Sequence, residues 1–136
     1  MFLNMLNEKE QRNFLELAYK AMEADGIIKE DEINVFEMLK REVGMTDYEV
    51  KHLPEEQLIR EFDMSTKKVK KAVIIELGGV LDADEMVEQT EEDWLISIGE
   101  KWGFRPVEIR KLLRWVQDFN DLLEEGYEYI MRKERL

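Results

Sequence analysis

Two stretches of this sequence carry the same spaced acids. The first is Asp25-Gly26-Ile27-Ile28-Lys29-Glu30-Asp31-Glu32; the second is Asp84-Glu85-Met86-Val87-Glu88-Gln89-Thr90-Glu91. In each, an aspartate is followed by an apolar residue three positions on and a glutamate seven positions on. Carboxylate oxygens are the ligands that hard divalent cations such as calcium, magnesium and manganese take. Cation binding is therefore the first chemistry to weigh. The pattern matches the second half of an EF-hand loop, with its acidic fifth position, apolar eighth and glutamate twelfth. The first half does not match, because the first ligand position falls on Ala21 in one copy and Val80 in the other. Only Glu23 and Asp82 stand at the third. This argues against a tight EF-hand calcium site. It leaves a looser oxygen site built from Asp25, Glu32, Asp84 and Glu91, with Asp82 beside it, if the fold brings the two turns together. A simpler reading stands alongside. The aspartates close turns, Ile28 and Val87 plug the core, and the glutamates sit in the favourable first turn of a helix.

Other chemistry is thinner. His52 is the single histidine, between Lys51 and Leu53, with no partner to orient it as a base or ligand. Cysteine is absent, which removes thiolate zinc sites, disulfides and cysteine nucleophiles. No Ser-His-acid set, glycine-rich phosphate loop or His-acid metal spacing can be assembled, so catalysis is not expected. A carboxylate-dependent enzyme is the outside reading. Lys67, Lys68, Lys70 and Lys71 form one basic face and are the candidate partner-binding residues. Arg105, Arg110, Lys111 and Arg114 form a second basic strip. Such strips serve equally as solvated faces paired with acids on neighbouring helices.

The elements that must position these residues follow from helical periodicity. A helix is predicted over about 8–24, capped by Asn7 with Glu10 closing the box. Its stripe is Phe14, Leu17, Ala18, Ala21 and Met22. A second spans about 29–43 with Ile33, Phe36, Leu39 and Val43, stopped by Gly44. Thr46-Asp47-Tyr48-Glu49 reads as a capping box for a short third helix. Pro54 opens a fourth, and a fifth starts near Ser65. Thr90-Glu91-Glu92-Asp93 caps the sixth, which Gly103 ends. Pro106 opens a long last helix over about 106–132. No strand alternation appears, so the expectation is all-α, with about seven helices in one domain.

The halves align without a gap at a shift of 59 residues: Asp25 on Asp84, Ile28 on Val87, Glu32 on Glu91, Gly44 on Gly103 and Glu49 on Glu108. Matched acids and a matched glycine stop add to what helical spacing alone would give, so a real repeat is expected, over about 8–53 and 67–112. Each half is short of core, so the expected packing is face to face about a pseudo-two-fold axis.

Composition sets the outer bounds. The chain has 136 residues, 44% of them hydrophobic, enough for one domain with a packed interior. The formal net charge is −12, which opposes non-specific nucleic-acid binding and favours cations and basic partners. With no signal peptide and no long uncharged apolar run, a cytoplasmic location is expected. Residues 1–6 are apolar and expected to pack on the body as an arm.

The stretch from Ala21 to Glu32, with the stop Val43-Gly44-Met45, resembles the TerB-like family, which includes tellurite-resistance proteins and the N-terminal domain of DjlA-type membrane co-chaperones. Asp84 to Glu91, running on to Trp102-Gly103-Phe104, looks like that family's second acidic repeat, with Glu85 standing where the first copy has Gly26. The similarity spans roughly residues 10–120. It implies an all-helical fold of two related units and a cation site mapping to Asp25, Glu32, Asp84 and Glu91. It also implies a non-catalytic role in bacterial stress or tellurite resistance, with protein partners and assemblies near the membrane periphery. The alternative is a protein whose main event is binding or sensing a divalent cation. Oligomeric state does not follow from the sequence.

Overall fold

The computed structural model describes residues 1–23, 28–84 and 86–132, the side chain of Asp84 excepted. Among them are six α-helices: α1 (Glu8–Glu23), α2 (Glu30–Glu42), α3 (Glu55–Glu61), α4 (Lys67–Leu81), α5 (Gln89–Lys101) and α6 (Pro106–Met131). Two single 3-10 turns, Leu3–Met5 and Asp82–Asp84, complete the regular structure, and no strand occurs among the described residues.

Helix α4 is apolar over most of its last three turns and α1 carries a broad apolar face, which places both at the centre. Phe14, Leu15, Leu17 and Ala18 of α1 are sealed from solvent, as are Val73 and Leu77 of α4. Each such large side chain contributes about 1.5–3 kcal/mol by leaving water. α1 packs on α2, α3 and α4, and α4 packs on α5 and α6 as well. All six helices contribute to one hydrophobic core, with α1 and α4 in contact at its centre. The 3-10 turn at residues 3–5 lies against α4, with Leu3 and Leu6 buried, so the N-terminal arm does pack on the body.

Two glycines set close approaches. A Cβ at Gly99 would overlap the side chain of Ile109, so α5 sits hard against α6. A Cβ at Gly78 would meet Leu113 at 3.4 Å, in ordinary contact with the same helix. The Trp102 indole donates to the carbonyl of Ile59 at 3.0 Å in a buried position, pinning the end of α5 to α3.

Helix boundaries follow local chemistry. Asn7 Oδ1 accepts from the Glu10 amide and Glu10 accepts from the Asn7 amide, both at 2.8 Å, the reciprocal box expected for α1. Thr66 caps α4 by accepting from Val69 N–H at 3.2 Å. α2 and α5 end alike. Gly44 and Gly103 take φ of 69° and 90°, and the next residues, Met45 and Phe104, donate back to Lys40 and Gly99 at 2.8 and 2.9 Å.

Three expectations change. α5 begins at Gln89, with Glu88 as its cap, so Thr90 lies inside the first turn and does not cap it. Ile33 is half-exposed, because α2 is peripheral and buries mainly Phe36. The short helix predicted from Thr46 is absent, and residues 48–54 have no helical turn. The reason is Glu16 in the middle of α1. Its carboxylate accepts from Tyr48 Oη at 2.5 Å, Lys51 N–H at 2.8 Å and Leu53 N–H at 3.2 Å. Those amides are committed to a long-range acceptor, and His52 between them takes a left-handed φ of 56°.

Candidate functional site

Glu32 and Glu91 sit in equivalent places. Each is the third residue of its helix, and each carboxylate accepts from the backbone amide of the residue just before that helix. Lys29 N–H donates to Glu32 at 3.2 Å, and Glu88 N–H donates to Glu91 at 3.0 Å. This is a helix-start device, and Glu10 and Glu108 serve α1 and α6 in the same way. The simpler reading of these glutamates therefore has a concrete geometric basis.

The two starts nevertheless open onto one cleft of about 150 Å³. Glu32 and Lys29 line it from the α2 side, and Glu88, Thr90 and Glu91 from the α5 side. Its floor is Ala21 and Met22 of α1 with Val80 and Leu81 of α4. The fold thus brings one acid from each half of the sequence to a common surface. Asp25 lies outside the described residues, as does the side chain of Asp84, so the aspartate half of the predicted quartet has no described geometry here. Asp82 lines a neighbouring groove instead. Its Oδ2 accepts from Asn120 Nδ2 at 2.7 Å, and Asn120, Asp121 and Tyr127 share that groove.

Three carboxylates and the Thr90 hydroxyl supply the oxygens of the cleft, the donors a hard cation takes, with the Lys29 ammonium and the Met22 thioether also in its lining. Among the described residues no group of three or more Asp, Glu or His side chains converges tightly enough to hold a metal. A complete ligand set would need Asp25 and Asp84 as well as Glu32 and Glu91.

The lysines of the basic cluster are spread around the start of α4. Lys67 stands 6.0 Å from the Phe104 ring, and Lys70 reaches the carbonyl of Asp63 at 3.3 Å. Lys68 and Lys71 are exposed and make no ion pair among the described residues. On the second strip, Arg110 approaches Glu92 at 3.8 Å and Arg105 pairs with Glu108 at 3.2 Å, as solvated faces do.

Sequence reasoning missed Glu16. Burial pushes its carboxyl upward, but the hydrogen bonds from Tyr48, Lys51 and Leu53, with a smaller contribution from His52, outweigh it and hold the group below the usual range. The same burial and the Glu16 charge raise the Tyr48 phenol well above its ordinary value. The legible signal was a lone acid inside the otherwise apolar run Phe14 to Ala18.

Fold and cleft together define an all-helical bundle with an acidic cleft between two helix starts. No family model, no curated protein and no solved structure matches this chain. Among the described residues, no helix is long and apolar enough to cross a membrane.

Proposed function

We propose that this chain is a TerB-like, non-catalytic interaction module of a bacterial stress system, cytoplasmic, with a divalent cation held between its two acidic turns. The observation that carries this is the shared cleft: Glu32 and Glu91, equivalent at the 59-residue shift, line one opening from opposite sides. Support for a duplicated unit comes from three coincidences at that shift. They are the Lys29–Glu32 and Glu88–Glu91 contacts, the bounds of α2 and α5, and the glycine stops at Gly44 and Gly103. In this reading α1 corresponds to α4 and α2 to α5. The cation would take Glu32 and Glu91 with Asp25 and Asp84, and the module would recruit protein partners through its charged faces.

The test is thermal unfolding with calcium, magnesium or manganese, on the native chain and on Glu32→Gln/Glu91→Gln. Glutamine keeps an oxygen to accept the capping amide, so this variant retains its helix starts while losing the charge. A site filled at 100 times its dissociation constant adds about 2.7 kcal/mol to stability. The expected result is a rise in melting temperature for the native chain with at least one ion and none for the variant. No response of the native chain to any of the three at millimolar concentration refutes the cation site. An equal response in both proteins moves binding away from this cleft.

A further inference from the structure

Helix α6 outruns the bundle. Its buried residues are Ile109, Leu113 and Val116, and from residue 121 to the helix end at Met131 every position except Gly126 is exposed. Yet the apolar pattern does not stop where burial stops. Leu112, Trp115, Phe119, Leu122, Gly126 and Tyr129 recur at alternating steps of three and four, a coiled-coil seam running nearly the length of the helix. The seam is open. Trp115 is 44% exposed, Leu122 67% and Tyr129 62%. Trp115 and Phe119 stack on one another with centroids 5.4 Å apart, so the seam is a continuous surface. At its N-terminal end it merges with an apolar groove of about 460 Å³, where Ile75 of α4 and Phe104 flank Leu112 and Trp115 and the rim carries Lys71 and Lys111.

Charge along α6 is divided in two. Residues 105–117 carry Arg105, Arg110, Lys111 and Arg114 against one acid, Glu108. Residues 118–131 carry Asp118, Asp121, Glu124, Glu125 and Glu128 and no base. One apolar seam whose halves have opposite charge is complementary to itself when reversed. A two-fold axis supplies that reversal, and it presents the same patch from each side.

We propose that the C-terminal half of α6 docks on the N-terminal half of α6 and the adjoining α4 groove in a second copy of this chain, giving an antiparallel, isologous dimer. The seam fixes the register. With the axis near residue 117, Leu112 faces Leu122 of the second copy and Trp115 faces Phe119. In the same register Lys111 meets Glu125 across the interface, while Arg114 and Asp121 stand further round the helix and add to the basic and acidic charge of their halves. Gly126 falls opposite Glu108, where the absence of a side chain leaves room, and Tyr129 reaches the Phe104 end of the groove. Like charges approach where Asp118 faces its own copy at the axis, offset by Arg114 at 3.9 Å from Asp118 within each chain, and where Glu108 comes beside Glu125, offset by Lys111. This dimer is independent of the acidic cleft between α2 and α5, so it stands whether or not a cation binds there.

The test is sedimentation equilibrium of the full chain with two charge-reversed variants, Lys111→Glu/Arg114→Glu and Asp121→Lys/Glu125→Lys. All four substituted positions are exposed, and circular dichroism checks that each variant folds. The native chain is expected to dimerise, more strongly at low salt. Each variant alone is expected to weaken dimerisation by at least about tenfold, since the Lys111–Glu125 contact becomes repulsive at both ends of the interface and the charge around it is reversed. An equimolar mixture of the two variants is expected to restore it as a heterodimer, because each reversed half then meets its opposite. A native chain that stays monomeric at high protein concentration and low salt overturns the proposal. So does a native dimer that both variants preserve, or a mixture that remains monomeric. A basic partner helix of another protein occupying the acidic half would show as a monomeric native chain, which counts against the second copy as occupant.

Discussion

Replacing Glu16 with alanine should destabilise the fold by about 3–5 kcal/mol, because it strands the three donors that the buried carboxylate accepts from. Glu16 is 1% exposed and accepts three hydrogen bonds, from Tyr48, Lys51 and Leu53. At about 1.5–3 kcal/mol for each bond to a charged acceptor, the three set a ceiling well above that range. The segment they hold is a surface one, with Lys51 and His52 exposed, so its freed amides can turn to water and recover part of the loss. For a chain of this length, about 3 °C per kcal/mol converts the estimate to a fall of roughly 9–15 °C in melting temperature. Glu16→Gln keeps the volume but turns one acceptor oxygen into a donor facing donors, and should cost roughly 2 kcal/mol. Tyr48→Phe removes only one of the three bonds and should cost about 1–2 kcal/mol. Thermal and urea unfolding followed by circular dichroism give the order, and amide hydrogen exchange at Lys51 and Leu53 gives the location. The reasoning is refuted if Glu16→Ala lies within about 1 kcal/mol of the native chain, below the usual cost of leaving buried donors unpaired. It is equally refuted if those two amides stay as protected as before.

The other expectations are more local. Because the folded Glu16 carboxyl lies below its unfolded value of about 4.3, its contribution is complete above that pH and is lost as pH falls through the folded value. The stability gap between the native chain and Glu16→Gln should therefore be constant from neutrality to about pH 5 and narrow below it; a constant gap to pH 2 would contradict the assignment. Gly99→Ala should destabilise by about 1–3 kcal/mol, because the new methyl overlaps the Ile109 side chain, and Ile109→Val in the same chain should return part of that loss. Chemical denaturation decides it, and an unchanged midpoint for Gly99→Ala would mean the two helices separate freely. Trp102→Phe keeps an aromatic ring against Phe62, 5.3 Å away, but strands the Ile59 carbonyl, so a loss of about 1–3 kcal/mol is expected with little change in helix content. A midpoint equal to the native value would show that water replaces the indole at no cost.

Much of the architecture was legible because its signals are local. The i, i+3, i+4 stripe of α1, the Asn7–Glu10 box, the glycine stops at Gly44 and Gly103 and Pro106 at the first turn of α6 are each decided by neighbouring residues. The segment after Gly44 was misread for the complementary reason. Thr46-x-x-Glu49 satisfies the local rule for a helix start, but its amides are claimed by Glu16, 35 residues before Lys51. The α5 cap was displaced from Thr90 to Glu88 because the glutamate three residues on governs the start more than the capping side chain does. At the cleft, the sequence indicated that Glu32 and Glu91 are equivalent. Only the fold shows that α1 and α4, meeting at the centre, carry those two starts to one opening while Asp82 turns to Asn120.

The floor of that opening has an electrical character of its own. Ala21 and Met22 lie in the last turn of α1, and Val80 and Leu81 in the last turn of α4. The final carbonyls of a helix lack intrahelical partners, and together they amount to about half a negative charge at each end. Two such poles meet beneath the cleft, while the opposing poles of α2 and α5 are neutralised by Glu30, Asp31 and Glu32 and by Glu91 and Glu92. The carbonyl poles of the floor thus add to the pull of the rim carboxylates on a positive charge, and a substitution confined to Glu32 and Glu91 would leave the floor's share in place.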